Sequence, residues 1–313
     1  MNLNPGIFTF FIATLINLGI NSPLSISTSY QPLDVVDGAG LYKQALPDGN
    51  EAYLQVIDLG KIQIEQLVGE VTSRGIGEGK YYQGEGKYDS PFFKMQLFSQ
   101  VSDEYAKVYG DSVFTIINCS FFEQYQSSSQ LSFPIKLNGT VITGGSSPYG
   151  PIAQPKDKFY RNITLKALVW DEKQVYITDY NPATGAPLSD NSVKNAIATY
   201  QYSDHPAKVF GGNQKNRYHL MGTLNKDGIQ GDELLLIMTV NRATIDEAAD
   251  LLRKFGVKSD IITIDGGIST YLFNRRLGNI TLPQSVNLTD NPQFRSLPHY
   301  LGFRVKRDRN LFP

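Results

Sequence analysis

Cysteine is almost absent from this chain: Cys119 is the single one in 313 residues. One thiol excludes an intrachain disulfide framework and a multi-cysteine zinc site. Export remains open, because a chain of this length can bury a sufficient core without covalent staples. Histidine is scarce too. His205, His219 and His299 are scattered, and His205 and His299 each adjoin a proline, so no metal-ligand spacing emerges and no metal or other cofactor is expected. Charge of one sign is also lacking. The formal net charge is −1, which leaves no broad basic field for nucleic acid. No run of like charges marks an acidic or basic tail. There is no internal repeat and no long low-complexity tract.

Long hydrophobic runs are missing, with one short exception near the start. Ile7 to Ile20 is apolar and uncharged. It is too short for a comfortable membrane span and fits the hydrophobic region of a signal peptide. Ser22, Pro23, Ser25, Ser27 and Ser29 then supply small and turn-forming residues. No Lys or Arg precedes the run and no A-x-A site follows it, so an uncleaved anchor and a buried helix remain alternatives. The expectation is a signal peptide or N-terminal apolar segment over residues 1–29 and one domain over 30–313. That domain is expected to be secreted, periplasmic or held in the cell envelope, with no stable membrane span after processing.

What is abundant is aromatic: 18 Tyr and 17 Phe. Aromatic faces suit sugar stacking, but tyrosine is equally a strand and core residue. The pattern along the chain is rich in strands. Ala52 to Leu59 and Lys61 to Val68 read as a hairpin around Gly60. Gly75 to Lys87 lacks periodicity and reads as a surface loop. Phe93, Leu97, Val101, Tyr105 and Val108 fall at helical spacing, which predicts a helix from Phe92 to Tyr109 stopped by Gly110. Val113 to Ile117 is a continuous apolar run, the pattern of a strand covered on both faces. Asn138-Gly139 marks a hairpin turn within Ile135 to Ile142. A second hairpin is read from Leu165 to Thr178, and Tyr300 to Val305 reads as a closing strand.

The segment from Glu233 to Asn274 is the most informative. Glu233 to Val240 is a strongly apolar strand. Thr244 with Glu247 three residues later is a capping box. Ile245, Ala248, Ala249, Leu252 and Phe255 form one helical face, and Gly256 sits where a left-handed cap belongs. Ile261 to Ile264 is the next strand. Strand, helix and strand in this order predict a right-handed crossover into parallel strands. The fold class expected is therefore α/β (mixed α+β), with a mixed, partly parallel β-sheet and few helices.

Asp265 follows that last strand, and functional groups in open α/β sheets gather at carboxyl ends of strands. Gly266 and Gly267 permit close approach of a ligand, and Ser269 and Thr270 offer hydroxyls to an oxyanion. A plain β-turn in which Asp bonds its own backbone is the competing reading. Asn118, after Val113 to Ile117, can orient a hydroxyl or carboxylate through both a donor and an acceptor, or can simply cap the strand. Cys119 reads as a buried small residue, since nothing in the sequence puts a base beside it. Arg217 offers a planar fork for phosphate, and His219 reads as a packed histidine.

Three blocks together carry a family likeness. They are Val113 through Phe122, the hairpin Ser132-Phe133-Pro134-Ile135-Lys136-Leu137-Asn138-Gly139, and the capped helix leading into Ile264-Asp265-Gly266-Gly267. From roughly Tyr53 to Val305 the chain resembles the phosphodiester glycosidase domain family, and the Phe-Pro-Ile-Lys hairpin is similar to its bacterial exported branch. The resemblance implies a hydrolase that cleaves a sugar–phosphate glycosidic bond, with a glycan or sugar-phosphate as its partner. It implies a site built from Asn118, Phe122, Arg217, Asp265, Gly266, Gly267 and Ser269. Asp265 would act as nucleophile or electrostatic stabiliser and Arg217 as phosphate clamp. Glu123, close to Asn118 in sequence, is the candidate second carboxylate. The chain departs from the family pattern at Cys119 and Ile268, where glycines are usual. Arg217 is one residue out of register from Gly222, with Tyr218 at the expected Arg position. These departures keep a second reading open, a glycan-binding protein of weakened or absent activity on the same scaffold.

Overall fold

A computed structural model describes residues 29–75, 90–123, 128–146, 163–209, 211–229, 231–258, 260–282 and 295–307. The apolar segment before Ser29 and most of the Gly75 to Lys87 stretch lie outside the described residues. In chain order the first elements are β1 (Gln31–Val36), β2 (Ala39–Ala45), β3 (Glu51–Asp58), β4 (Ile62–Val68), β5 (Val71–Gly75), β6 (Ser90–Lys94), β7 (Gln96–Leu97) and α1 (Phe98–Tyr109). There follow β8 (Val113–Asn118), β9 (Phe122–Glu123), β10 (Ser128–Leu131), β11 (Ile135–Leu137), β12 (Thr140–Thr143), β13 (Leu165–Trp170), β14 (Val175–Asp179), β15 (Asn195–Gln201) and α2 (Pro206–Val209). The remainder are β16 (Asn216–Leu224), β17 (Leu234–Ala243), α3 (Ile245–Arg253), β18 (Ile262–Ile264), β19 (Leu272–Asn274), β20 (Gly278–Thr281), β21 (Ser296–Leu297) and β22 (His299–Val305).

A large sheet has the order β1-β2-β3-β17-β16-β18-β15-β11-β12, with β13 also on β15 and β14 outside β13. A five-stranded sheet runs β20-β19-β8-β22-β4. Smaller sheets are β5-β6-β10-β9 and β21-β7. The two larger sheets share one apolar core, to which Leu41, Ile57, Leu235, Ile237 and Ile264 come from one and Ile64, Phe114, Ile117, Leu301 and Phe303 from the other. A buried hydrogen bond of 2.6 Å from Thr115 Oγ1 to Gln55 Oε1 crosses between them. On the far face of the large sheet, α3 lays Ile245, Ala248, Ala249 and Leu252 over Leu220, Leu236 and Met238. On the far face of the five-stranded sheet, α1 lays Phe98, Val101 and Tyr105 over Val113, Ile116 and Tyr300. The result is helix, sheet, sheet, helix.

Every described strand pair is antiparallel, so the expected partly parallel α/β sheet is overturned: this is a mainly β fold. The strand-helix-strand unit does exist as β17, α3 and β18. However, β16 lies between β17 and β18 and pairs antiparallel with both. The outer two run in the same direction without pairing with each other. Continuous apolar runs report that both faces of a strand are covered, and here α3 and the second sheet do the covering; they do not report strand direction.

Two further expectations are corrected. β3 and β4 flank Gly60 but form no hairpin: β3 pairs with β2 and β17, and β4 with β22 in the other sheet. The helix begins at Phe98, and Phe93 belongs to β6. Other features match. Gly110 ends α1 at φ 57°, and Asn138 and Gly139 take positive φ in the β11–β12 turn. The Thr244–Glu247 capping box is complete, and Gly256 has φ 92°. The β13–β14 hairpin and the closing strand β22 are also present. Among the described residues no helix is long and apolar enough to cross a membrane.

Candidate active site

The ends of β8 and β18 meet across the two sheets. The Asp265 amide donates to the Cys119 carbonyl at 2.8 Å, and Asn118 Nδ2 donates to the Asp265 carbonyl at 2.6 Å. Asn118 Oδ1 accepts twice, from the Tyr271 amide at 2.8 Å and from His219 Nε2 at 2.9 Å. An amide oxygen cannot donate, so His219 carries its proton on Nε2. Its Nδ1 then accepts from the Thr239 hydroxyl at 2.8 Å. Burial drives the His219 pKa down to about 3, so the ring is neutral at working pH. Asn118 is 1% exposed. Its oxygen lone pairs are spent on the scaffold, and its amide fixes where Asp265 begins its turn.

Asp265 itself is half-buried. Burial raises its carboxyl pKa to about 7, against the lowering pull of the Ser269 hydroxyl, the Arg295 charge and the Gly266 amide. Ser269 sits in a 3-10 turn, Gly267–Ser269, and is 3% exposed. Arg295 donates to Ser269 Oγ through Nε at 3.3 Å and Nη2 at 3.1 Å. The hydroxyl therefore accepts from a guanidinium and donates to the carboxylate, linking the two charges. Gly266 is required by close approach: a Cβ there would stand 2.8 Å from the Arg217 carbonyl oxygen. Gly267 is required by its backbone, at φ 60°. Ile268 is 37% exposed at the outside of the turn.

Asn118, Asp265, Gly266, Gly267 and Ser269 thus converge. The Arg217 backbone touches this cluster, but its Nη1 donates to the Leu282 carbonyl at 2.5 Å. Burial lowers the Arg217 pKa. Phe122 in β9 is half-buried and packs against the core that includes Phe98 and Tyr271. Glu123 follows it, its backbone opposite Gln130. Cys119 is fully buried, and burial pushes its thiol pKa up. Beside it, Ser120 Oγ lies 2.8 Å from His299 Nδ1, a second buried hydroxyl–imidazole pair. Among the described residues no three His, Cys, Asp or Glu side chains gather to hold a metal ion.

Arg295 is the site residue that sequence reasoning missed. It precedes the two-residue strand β21, a stretch with neither periodicity nor motif, and only the docking of β21 on β7 brings it to Ser269. His219 is packed, as its sequence context suggests, and its link to Asn118 has no sequence signal, because the two are brought together only by tertiary pairing.

The architecture is a mainly antiparallel β fold of two packed sheets with a helix on each outer face, and its candidate site lies where strands of both sheets end. No family model matches the chain, and no curated protein matches it. Among solved structures, the chain is similar to the zebrafish N-acetylglucosamine-1-phosphodiester alpha-N-acetylglucosaminidase catalytic domain, auto-inhibited by its pro-peptide. That likeness has a TM-score of 0.50 and 10% identity and covers 90% of this chain and 85% of that one. A hypothetical protein from Synechocystis matches with TM-score 0.49 and 11% identity, over 90% of this chain and 65% of that one. A Burkholderia pseudomallei protein named as a candidate exported protein matches with TM-score 0.46 and 8% identity, over 84% and 75% of the two chains. At 10% identity the likeness to the zebrafish domain concerns the fold alone.

Proposed function

We propose that this chain is an exported hydrolase that cleaves the bond between a sugar anomeric carbon and a phosphate oxygen, in an envelope or extracellular glycan. The observation that carries the reading is the half-buried Asp265 carboxyl just after β18, joined through the Ser269 hydroxyl to the Arg295 guanidinium. The reaction passes through a partly positive sugar ring, which a carboxylate stabilises directly or by forming a bond to carbon. The C1–O bond breaks and its electron pair leaves with the phosphomonoester. A water oxygen takes its place on C1, one proton staying on the new hydroxyl and the other being released. Phosphate leaves readily, so neutralising its charge matters more than protonating it. In this reading Asp265 works ionised, and Arg295, rather than Arg217, faces the phosphate. Gly266 admits the Arg217 carbonyl and Gly267 takes the left-handed turn, which together set the bearing of the carboxyl, and Asn118 acts by positioning Asp265. The name of the zebrafish neighbour is in keeping with this chemistry, and the apolar segment Ile7 to Ile20 supports export.

A second reading, a glycan-binding protein without turnover, draws on one observation. Among the described residues the groups that act on the Asp265 carboxyl are Ser269, Arg295 and Gly266, with no second carboxylate, whereas glycoside hydrolysis commonly uses a pair. Purified wild-type and Asp265→Asn proteins incubated with a sugar-1-phosphodiester separate the two, with release of phosphomonoester and reducing sugar as the readout. The hydrolase reading expects release by wild type and almost none by Asp265→Asn. Equal rates sink the assignment of Asp265, and glycan binding with no release by either protein supports the binder.

A further inference from the structure

Three arginines are half-buried among the described residues: Arg217, Arg295 and Arg304. A guanidinium partly withdrawn from water needs an anion, or a full set of acceptors, in return. Arg304 has Glu65 at 2.8 Å. Arg295 has the Ser269 hydroxyl at 3.1 Å and the Asp265 charge beyond it. Arg217 differs from both. No carboxylate among the described residues pairs with it. Its Nη1 donates to the Leu282 carbonyl at 2.5 Å, and its remaining side-chain N–H groups meet no described acceptor. Burial lowers its pKa, and no nearby acid offsets that effect.

Arg217 stands at the candidate site. It is the second residue of β16, and its carbonyl oxygen lies 2.8 Å from where a Cβ on Gly266 would be. Arg295 reaches the other end of the same turn, at Ser269. The two arginines therefore approach the Asp265–Ser269 turn from its two ends. They are not equivalent. The Asp265 charge acts on Arg295 and is absent from the influences on Arg217, so the Arg217 guanidinium sits farther from the carboxyl. Asn216, exposed beside it, accepts the Arg217 amide on Oδ1 at 2.8 Å. Its Nδ2 is left without a described acceptor, 3.7 Å from where a Cβ on Gly267 would be. Lys215 is already committed, paired with Asp48 at 2.6 Å.

We propose that Arg217 and Asn216 form a second anion subsite, so that the substrate carries two anionic groups, the scissile phosphate at Arg295 and a neighbouring phosphate or carboxylate at Arg217. The proposal rests on the hydrolase reading, which puts the scissile phosphate at Arg295. The donor set suits an oxyanion: a planar guanidinium with N–H groups to spare, and an amide that offers Nδ2 because its oxygen is already used. A neutral sugar hydroxyl would leave the charge of a half-buried guanidinium uncompensated. The substrate class is then an anionic glycan with closely spaced charges, either a chain of sugar phosphodiesters or a phosphodiester next to an acidic sugar.

The test is calorimetric titration of the full chain with propyl phosphate, with alkanediol bisphosphates of increasing length, and with phosphate esters of hydroxyalkanoic acids of matched length. At one length a doubly charged probe should bind about 10–100-fold more tightly than propyl phosphate, the worth of one charge-assisted contact. Arg217→Met should abolish that advantage. Arg217→Lys keeps the charge without the planar fork and should retain part of it, and Asn216→Ala, at an exposed position, should reduce it severalfold. Tighter binding of the bisphosphate supports the subsite with a repeating sugar phosphate as its source, and tighter binding of the phosphocarboxylate supports it with an acidic sugar. Double charge that brings no advantage at any length overturns the second subsite and leaves the hydrolase reading standing. So does an advantage that the Arg217 and Asn216 variants keep in full. Absence of any phosphate binding overturns the subsite together with the phosphate position at Arg295 on which it rests.

Discussion

Exchanging the Asp265 carboxyl for an amide should stabilise this protein at alkaline pH while removing its turnover. The folded chain raises the carboxyl from its ordinary 3.8 to about 7, with burial as the leading cause. Between those two values the folded protein holds a proton that the unfolded chain has released. The stability contributed by this carboxyl therefore declines as pH rises from about 4 to about 7, and its loss persists above that. At about 1.4 kcal/mol per pH unit, the interval corresponds to at most about 4 kcal/mol. Asp265→Asn carries no ionisable group at this position and escapes the decline. Urea unfolding of both proteins at about pH 4 and about pH 8 reads the difference directly, since every other titrating group is shared and cancels. The two curves should nearly coincide at the lower pH, and the variant should be the more stable at the higher. A difference that stays flat across this range, or a variant less stable at about pH 8, refutes the claim that Asp265 is held as a desolvated acid.

Three other outcomes follow from the same geometry. Arg295→Met should lower kcat/KM on a sugar-1-phosphodiester by about 10²–10³-fold and move the acid limb of the pH–rate profile upward, because the Arg295 charge pulls the Asp265 pKa down; Arg217→Met should change either readout little, and the reverse pattern would return the phosphate role to Arg217. Asn118→Leu strands the Tyr271 amide and His219 Nε2–H and should cost about 2–5 kcal/mol by urea unfolding, whereas a loss under about 1 kcal/mol would show that the amide is not the clamp between the sheets. Cys119, fully buried and with its thiol pKa pushed up by that burial, should resist iodoacetamide in the native protein and react once urea unfolds it; labelling of the folded chain would contradict its placement.

Local features of the fold were legible in the sequence because local chemistry decides them. The capping box at Thr244 and Glu247, the Asn138-Gly139 turn and the Gly110 stop each depend on a few neighbouring residues. Strand partnership does not. Nothing in the residues near Gly60 tells β3 and β4 to join different sheets, and nothing in the β17–α3–β18 segment announces that β16 will separate its strands. The candidate site divides the same way. The Asp265-Gly266-Gly267 turn was visible as a motif, and its neighbour Asn118 as a strand end. Their joining, and the arrival of Arg295 by way of Ser269, depend on pairings that span much of the chain. Tyr218, expected from the resemblance to stand where an Arg is usual, turns into the core under α3.

β22 lies in the interior of its sheet, between β8 and β4, and among the described residues β4 has no other partner strand within that sheet. During synthesis, therefore, the first of these strands leaves the ribosome long before the one that satisfies its backbone. Until residues His299 to Val305 emerge, β4 and β8 lack the strand that joins them. A premature stop upstream of Arg295 would abolish more than a strand, for the guanidinium beside Asp265 would go with it. Closure of this sheet thus waits on a strand near the far end of the described chain, and its folding rate should be set by that distant pairing.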